Sequence, residues 1–264
     1  MDLQLKGKTA FISGSTQGIG FAIAQNLLKE GATVVINGRT PEKVADAVKR
    51  LQDSLPHAQV SGLAADFSKV EEVDALLANL PDIDILINNA GIFEPKPFVE
   101  IPDADWFKFF EVNVLSGVRL SRHFFPKMLA KDWGRIIFIS SESAVNIPEE
   151  MIHYGMTKTA QLAVSRGLAE LTKGTNVTVN SVLPGPTKSE GVAEFVKQLG
   201  EAKQVSAEQA ETDFFKEARP SSLLQRFTSV EEIANLVTYV ASPLSSGTTG
   251  AALKVDGGVS KFII

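Results

Sequence analysis

The chain has 264 residues, no cysteine, three histidines and a formal net charge of −5 at pH 7. This length fits one large α/β domain, and the lack of cysteine excludes disulfides, thiolate metal ligands and a thiol nucleophile; no metal site is expected. The acidic balance argues against nucleic acid and anionic membranes as partners, and no apolar stretch is long enough to cross a bilayer, so we expect a cytoplasmic protein.

Strands and helices alternate along the chain, and Gly31 marks the end of the first helix. Thr40 is expected to cap the second helix, with Pro41 in its first position. This alternation predicts a single domain of the α/β class: a doubly wound (Rossmann) parallel sheet of about seven strands with helices on both faces. Strands are predicted at Thr9–Ser13, Thr33–Asn37, Gln59–Leu63, Ile83–Asn88, Arg135–Ser140, Val177–Leu183 and Leu253–Asp256. Further helices are predicted at Ile19–Glu30, Val70–Ala78, Asp103–Phe125, Tyr154–Thr172 and Val230–Ala241.

A glycine-rich turn, SGSTQGIG from Ser13 to Gly20, joins the first strand to the first helix. Glycines there allow a tight turn, let backbone N–H groups approach a pyrophosphate and let the helix pack closely on the sheet. The helix N-terminus then faces the anion with the positive end of its dipole. We therefore expect a dinucleotide phosphate here, held by Gly14, Ser15, Gln17, Gly18 and Ile19.

The end of the second strand indicates which dinucleotide is bound. An acidic residue there would hydrogen-bond the ribose hydroxyls of NAD, but the sequence has Asn37, Gly38 and Arg39. Arg39 offers a planar, permanently charged group suited to a 2′-phosphate. The sequence favours NADP as the cofactor, with NAD possible and a solvated surface arginine as the alternative interpretation.

A candidate catalytic group lies after the fifth strand. Tyr154 and Lys158 are four residues apart on a predicted helix, so their side chains share one face. A nearby ammonium lowers the pKa of a phenol, which would make Tyr154 a usable acid and base. Ser141 follows the preceding strand, at the edge where wound sheets bind ligands, and its hydroxyl would hold the substrate oxygen.

The segment from Pro186 to Arg226 interrupts the alternation of strands and helices. It carries two apolar-periodic stretches, around Val192–Leu199 and Ala207–Ala218, and no strand pattern. A long excursion after a strand is typical of a functional element, so we predict a substrate lid, with a surface insertion as the alternative. Side chains that could line an apolar pocket, or equally belong to the core, are Phe93, Ile147, Phe195, Leu199, Phe214 and Phe215.

Taken together, these features resemble the short-chain dehydrogenase/reductase family from Leu5 to Asp256. Two departures are Ser13, where the family usually has Thr, and Ser189, where it often places a Thr that touches the nicotinamide amide. Thr187 is the alternative for that contact. The likeness is carried by Gly14, Gly18, Gly20, Asp66, Asn88, Asn89, Ala90, Gly91, Asn113, Ser141, Tyr154, Lys158, Pro184 and Gly185.

The resemblance implies an oxidoreductase that transfers a hydride between NADP(H) and a carbonyl or alcohol. It implies Tyr154 as acid and base, Ser141 as the residue that orients the carbonyl, and Lys158 as the residue that lowers the tyrosine pKa and holds the nicotinamide ribose. It also implies that Asn113 supports a proton-relay water and that the protein is a homotetramer. The remaining cofactor contacts implied are Asp66, Asn89, Ala90, Gly91, Pro184, Gly185 and Thr187.

Other functions stay open at this point. A 3-oxoacyl-[acyl-carrier-protein] reductase would need a basic rim for its acidic partner, and Lys127, Lys131 and Arg135 are candidates interrupted by Asp132. A regulator that binds the nicotinamide cofactor without turnover is a remoter alternative, because it would not need the acid and base. A lyase or dehalogenase on the same fold is disfavoured by the complete cofactor motif.

Overall fold

Nine strands form two parallel sheets in the part of the chain that the computed structural model describes, residues 2–263, with only the backbone described at positions 194, 195, 199 and 202. A short second sheet pairs β7 (Thr187–Lys188) with β8 (Thr228–Ser229). The main sheet consists of β1 (Thr9–Ile12), β2 (Thr33–Gly38), β3 (Val60–Ala64), β4 (Ile85–Asn88), β5 (Gly134–Ile139), β6 (Val177–Pro184) and β9 (Ala252–Val255).

The main sheet has the strand order β3-β2-β1-β4-β5-β6-β9. The order reverses between β1 and β4, where Ile12 pairs with Ile36 on one side and Ile87 on the other. The predicted doubly wound sheet is therefore confirmed. Because all strands are parallel, their carboxyl ends share one edge, and the reversal opens a crevice there for a ligand.

Apolar residues on alternating faces of the strands explain the two helical layers. On β1, Ile12 packs into one buried cluster and Phe11 into the cluster on the opposite face. Every residue of β4, β5 and β6 is buried, as expected for the centre of a parallel sheet. The sheet therefore needs helices on both faces to cover it.

The helices cover both faces. Helices α1, α2 and α9 supply the cluster around Ile12, and α3 and α5 supply the cluster around Phe11. Within residues 2–263, no helix combines the length and apolarity that a membrane span requires. The helices are α1 (Gly18–Lys29), α2 (Pro41–Ser54), α3 (Val70–Asn79), α4 (Asp103–Phe110), α5 (Ser116–Ala130), α6 (Ile152–Glu170), α7 (Glu190–Lys203), α8 (Ala207–Glu217) and α9 (Val230–Ala241).

Most predicted elements end within one or two residues of the observed ones. The cap of α2 is confirmed, because the Thr40 hydroxyl accepts from the Lys43 N–H at 3.4 Å. The chain is helical throughout the predicted helix Asp103–Phe125 and on to Ala130, but a wider π-helical turn at Glu111–Leu115 divides this helix into α4 and α5. Such a turn inserts one residue into the helix, which apolar periodicity does not reveal.

The two apolar-periodic stretches of the segment from 186 to 226 form the helices α7 and α8, which pack on each other. Val196, Ala210, Phe215 and Phe227 form a small core of their own. The strands β7 and β8 join the two ends of the segment, a pairing that the sequence did not predict. Two-residue strands carry too few residues to show a period.

Candidate active site

The glycine loop between β1 and α1 needs its glycines for two different reasons. Gly14 and Gly18 both have φ of +61°, a region that side chains disfavour. Gly20 lacks room for a side chain, because a Cβ there would lie 2.5 Å from Asn89 Nδ2. A Cβ on Gly14 would lie 3.0 Å from Ala90 Cα. The start of α1 therefore packs directly on the loop after β4.

The amino end of α1 is open to an anion. Gln17, in the N-cap position, makes no side-chain capping bond, so first-turn N–H groups keep their capacity to bind a negative charge. The Gly18 N–H donates to Glu190 Oε2 at 3.0 Å, which brings the first residue of α7 to this point. Gln17 is exposed, and Ile19 packs against the core. A carboxylate thus already binds where a phosphate is expected.

Two buried polar side chains hold the glycine loop in place. The Ser13 hydroxyl accepts from the N–H groups of Asn89 and Ala90, both at 3.0 Å. This confirms that Ser13 keeps a structural hydroxyl where the family usually has Thr. Asn37 Oδ1 accepts from the Gly14 N–H at 3.0 Å, a role that the sequence analysis missed. The loops after β1, β2 and β4 are therefore tied together.

Ser15 has a structural side chain. Its hydroxyl is buried, donates to the Ile12 carbonyl at 2.7 Å and accepts from the Asn37 N–H at 3.0 Å. These bonds hold the hydroxyl in the turn. The Ser15 N–H also donates to the Asn37 carbonyl, at 2.7 Å, so both donors of Ser15 are bonded inside the protein.

Arg39 is exposed at the carboxyl end of the sheet, directly after β2. The preceding Gly38 packs against the glycine loop, since a Cβ there would lie 2.4 Å from Thr16 Cγ2. A side chain at position 38 would therefore require the Thr16 side chain to move. This close packing disfavours an NAD-type carboxylate at position 38.

Asp66 follows β3 at the same edge of the sheet. Partial burial opposes its ionisation, but hydrogen bonds from Ser68 and the charges of Lys69 and Arg39 hold the pKa of this carboxyl below its usual value. Its Oδ1 accepts from both the N–H and the hydroxyl of Ser68, at 2.9 and 2.8 Å. Asp66 and Arg39 thus border one end of the crevice.

Ser141 and Tyr154 meet just beyond the end of β5. The Ser141 hydroxyl accepts from the Ser143 N–H at 3.1 Å and donates to Glu142 Oε2 at 2.6 Å. It also lies close enough to the Tyr154 phenol to lower the pKa of that group. The two hydroxyl groups can therefore converge on one substrate oxygen, as the sequence predicts.

Burial raises the pKa of the Tyr154 phenol above its usual value. The Ser141 hydroxyl opposes this effect, and the Glu142 carboxylate adds to it. The expected lowering of the Tyr154 pKa by Lys158 is therefore wrong for this geometry. The physical reason is that removal of the phenolate from water outweighs the favourable contacts.

Lys158 is buried below Tyr154, with its ammonium 5.6 Å from the centre of the tyrosine ring. Its Nζ donates to the Ile139 carbonyl at 2.9 Å and to Gln161 Oε1 at 3.4 Å. Burial lowers the pKa of Lys158 to about 8. A Cβ built on Gly91 would lie 3.5 Å from this Nζ, so Gly91 borders the lysine directly.

Asn113 lies in the π-helical turn and is fully buried. Its Oδ1 accepts from the Ile92 N–H at 2.8 Å, and its Nδ2 donates to the Ile92 carbonyl and to the Thr157 hydroxyl, both at 3.0 Å. Asn113 therefore joins the loop after β4 to α6, beside Lys158. This is the neighbourhood that the resemblance implied.

Gln161 is a site residue that the sequence analysis missed. Its side chain is 2% exposed and connects two members of the site, since Oε1 accepts from Lys158 and Nε2 donates to the Asn113 carbonyl. The sequence feature that could have revealed Gln161 was a polar residue one turn after Lys158, on the buried face of α6. The π-helical turn leaves the Asn113 carbonyl available for this bond.

A buried ion pair beside Ser141 was also missed. Glu142 Oε1 lies 3.5 Å from Nε of Arg219, which follows α8. The same guanidinium lies 3.4 Å from Glu150 Oε1. Arg219 therefore connects the 186–226 segment to the loop that carries Ser141. An acidic residue directly after the candidate catalytic serine was the available signal.

In the loop after β6, some residues stabilise the fold and others lie beside the candidate site. Gly185 follows Pro184, and its N–H donates to a carbonyl of β9 at 3.0 Å. The Thr187 hydroxyl donates to the Gly185 carbonyl and hydrogen-bonds the Thr228 hydroxyl, so its hydrogen bonds are made inside the protein. Ser189 lies beside the glycine loop, and its Cβ is 3.6 Å from a Cβ built on Gly18. The geometry therefore favours Ser189 over Thr187 for a cofactor contact.

The candidate pocket residues separate into two groups. Phe93 and Ile147 are 53% and 46% exposed, and Phe93 packs edge-on against Tyr154 with ring centres 6.4 Å apart. Phe214 and Phe215 pack with the core of the 186–226 segment, so they do not belong to the pocket. The side chains of Phe195 and Leu199 lie outside the described residues.

Comparisons with known proteins cover the whole chain. Residues 14–260 match the family described as enoyl-(acyl carrier protein) reductase. An uncharacterized oxidoreductase of Bacillus subtilis is 49% identical over 263 residues, 100% of both chains. A 3-oxoacyl-[acyl-carrier-protein] reductase of Aquifex aeolicus is 31% identical over 98% of this chain and 100% of the relative. L-sorbose reductase of Gluconobacter frateurii, solved with NADPH and L-sorbose, is 31% identical, with a TM-score of 0.93 and 100% of both chains covered.

Proposed function

Because this chain belongs to the short-chain dehydrogenase/reductase family, we propose that it reduces the carbonyl group of a small molecule with NADPH, with Tyr154 as the proton donor. It is an oxidoreductase that acts on carbonyl groups and the corresponding alcohols. The observation that carries the proposal is the meeting of Ser141, Tyr154 and Lys158 at the sheet edge beside the amino end of α1.

The residues around the glycine loop fit the phosphates of NADP(H). The uncapped first turn of α1 suits the pyrophosphate, and the exposed Arg39 suits the 2′-phosphate. Ser189 is the residue that we assign to the nicotinamide end. The bound cofactor supplies the hydride. The NADPH in the related L-sorbose reductase supports this choice of cofactor.

The side chains at the other end of the crevice handle the proton. Tyr154, whose pKa is raised by burial, remains protonated at neutral pH and can donate to the carbonyl oxygen. Ser141 holds that oxygen once its hydroxyl proton turns from Glu142 Oε2 to the substrate. Lys158, whose pKa is lowered to about 8, carries its charge at neutral pH and binds the nicotinamide ribose. Gln161 and Asn113 keep Lys158 in place.

NADPH oxidation tests this function directly. The protein is mixed with NADPH and one compound at a time from a set of ketones, aldehydes, quinones and acyl thioesters. We expect oxidation with at least one class of carbonyl compound. Cofactor binding without turnover on the whole set would contradict the proposal and favour a regulator.

The geometry does not favour an acyl-carrier-protein substrate. Lys127 and Lys131 are paired with Asp82 and Asp84. Arg135 is 2% exposed, and burial lowers its pKa to about 10. It also lies at the start of β5, at the sheet edge opposite Ser141. The basic rim considered from the sequence is therefore neutralised, buried and far from the site.

Removal of the Arg39 charge should weaken NADPH binding selectively. Arg39→Leu is expected to raise the Kd for NADPH about 10-fold or more, the scale of a lost charge-assisted hydrogen bond, and to leave NADH binding unchanged. Arg39→Lys, which keeps the charge, is the matched control. Fluorescence titration with both cofactors measures the effect. Equal affinity of the wild type for NADH and NADPH would contradict the assignment.

We propose that the chain assembles as a homotetramer through α4, α5 and α6. Phe107 on α4 is 75% exposed. A groove of about 300 Å³ with almost entirely apolar walls lies where α5 and α6 meet. Much of the remaining apolar surface of α4 and α5 packs inside the subunit, as at Phe109 and Phe124. The groove is lined by Val118, Ser121, Arg122, Phe125, Pro126, Val164 and Leu168.

A charge in this groove should break the assembly. Val118→Glu is expected to reduce the mass in solution at micromolar concentration, because a carboxylate cannot be buried between apolar helices without a large penalty. Val99→Glu, at a residue that is 90% exposed outside the groove, is the matched control and should keep the wild-type mass. Light scattering measures both. A wild-type mass equal to one chain would contradict the proposal.

The segment 186–226 is proposed to be a lid over the cofactor. Glu190 binds the glycine loop and Arg219 contacts the loop of Ser141, so the segment spans the crevice. With NADPH bound, we expect slower hydrogen exchange across this segment than in the free protein. Strong protection in both states would identify a fixed structural layer and contradict the lid.

We also place the protein in the cytoplasm, since NADP(H) is a metabolite of the cell interior.

A further inference from the structure

The charged pair beside Ser141 has an unusual hydrogen-bond pattern. The side chains of Glu142 and Arg219 are only 6% and 11% exposed. Glu142 Oε2 is fully used, because it accepts from the Ser141 hydroxyl at 2.6 Å and from the Ser143 N–H at 2.9 Å. Glu142 Oε1 has only the charge of Arg219 near it, at 3.5 Å.

Arg219 Nε is buried and makes no hydrogen bond in the described part of the chain. The same guanidinium is held through its other nitrogen, Nη1, by the Ala218 carbonyl and by Glu150. A donor and an acceptor therefore lie side by side without bonding each other. A buried donor without a hydrogen-bond partner destabilises the protein, so a ligand that supplies an acceptor at this point is favoured.

A hydroxyl group satisfies both atoms at once. It donates its proton to Glu142 Oε1 and accepts the Nε–H of Arg219 through its oxygen. Neither an alkyl chain nor a lone carbonyl can do this. An alkyl carbon cannot bond either atom, and a carbonyl oxygen has no proton for the carboxylate.

The pair also lies at the right place for the substrate. The Ser141 hydroxyl contacts both Glu142 and the Tyr154 phenol, so a carbonyl oxygen held by Ser141 and Tyr154 lies within about two hydrogen-bond lengths of the carboxylate. Glu142 is close enough to raise the pKa of Tyr154. A substituent on the carbon next to the carbonyl therefore reaches the pair.

We propose that Glu142 and Arg219 bind a hydroxyl group next to the reacting carbonyl, which makes the substrates hydroxylated ketones or aldehydes of the sugar type and the corresponding polyols. This inference rests on the proposed carbonyl reduction at the same site. Phe93, which packs against Tyr154 and is half exposed, offers an apolar surface to the C–H groups of such a substrate. Arg219 reaches the site from the 186–226 segment, so the hydroxyl would be bound from both sides of the crevice.

The test compares two ketones of the same size. Dihydroxyacetone carries a hydroxyl on each side of the carbonyl, and 3-pentanone has methyl groups in the same positions. With NADPH and the wild-type protein, we expect kcat/KM for dihydroxyacetone to exceed that for 3-pentanone about 100-fold, the scale of hydrogen bonds to charged groups. An altered pKa of Tyr154 affects both ketones alike and cancels in this ratio.

Four variants make the test specific to the pair. Glu142→Gln and Arg219→Met should each reduce the ratio to below about 10, mainly through slower reduction of dihydroxyacetone. Arg219→Lys keeps the charge and serves if the Met variant does not fold. Glu149→Gln makes the same chemical change at an exposed position of the same loop and should keep the wild-type ratio.

The results of these assays distinguish a failure of the inference from a failure of the proposed function. A wild-type ratio near one, or a high ratio that survives both Glu142→Gln and Arg219→Met, overturns the inference and leaves the carbonyl reductase in place. Reduction of unhydroxylated carbonyls or acyl thioesters without reduction of dihydroxyacetone or L-sorbose does the same. No NADPH oxidation with any carbonyl compound overturns the proposed function itself, and the inference with it.

Discussion

Replacement of Tyr154 by Phe is expected to lower turnover at least ~100-fold, the usual scale of general acid–base catalysis, and to leave NADPH binding nearly unchanged. The Phe side chain keeps the ring, its edge-on contact with Phe93 and its place above the Lys158 ammonium. Only the hydroxyl is lost, and with it the proton for the carbonyl oxygen. The effect should therefore fall on kcat and not on cofactor affinity.

The second tyrosine of the chain provides a matched control. Tyr239 is 41% exposed on α9, far along the chain from Ser141, and Tyr239→Phe should keep wild-type turnover. Steady-state kinetics with the best carbonyl substrate and fluorescence titration with NADPH measure both properties. Near-normal turnover of Tyr154→Phe would show that another group supplies the proton.

The fold was predictable because its strands are buried on both faces. Each residue of β4 and β5 is buried, and Ile85–Ile87 and Ile136–Ile139 appear in the sequence as short apolar runs. The glycine loop was predictable for a different reason. Gly14, Gly18 and Gly20 meet steric demands that few other residues satisfy, and those demands come from one local turn.

The supporting parts of the site were not predictable in the same way. Gln161 acts through the Asn113 carbonyl, which becomes available only because a π-helical turn interrupts the helix. Glu142 meets Arg219 across a long stretch of chain, through the packing of the 186–226 segment. Apolar periodicity reports which face of an element is buried, but it does not report which polar groups meet inside.

The assignment of Thr187 shows the same limit. The resemblance implied Thr187 as the cofactor contact, although Ser189 stands where the family often places a Thr that touches the nicotinamide amide. The structure separates them because β7 pairs with β8, which directs the Thr187 hydroxyl to Thr228. That pairing joins residues from the two ends of the segment, so no local pattern contains it.

Lys158→Met is expected to reduce turnover ~100-fold and to weaken NADPH binding, because the ammonium holds the nicotinamide ribose, and so the position of the hydride donor, in the proposed mechanism. Met has a similar length and no charge, so it fills the same space. This pattern differs from that of Tyr154→Phe, which spares the cofactor. Kinetics and titration on the two variants, side by side, distinguish the roles.

The same variant should change how stability depends on pH. Burial lowers the pKa of Lys158 from 10.5 to about 8, so the folded protein loses this proton near pH 8 while the unfolded chain keeps it until about pH 10.5. Between these values the unfolded state binds more protons, and the free energy of unfolding of the wild type gains a contribution that rises with pH. Below pH 8 the buried ammonium destabilises the fold to its full extent.

In Lys158→Met this contribution is absent. The stability of the wild type relative to the variant should therefore increase between pH 8 and pH 10.5, by up to roughly 3 kcal/mol, since one pKa unit corresponds to about 1.4 kcal/mol. Urea unfolding of both proteins at pH 7, 8, 9 and 10 measures the difference. The lost bonds to Ile139 and Gln161 shift the variant equally at every pH, so they do not alter the slope. A difference that stays constant across this range would mean that Lys158 titrates at its ordinary pKa in the folded protein.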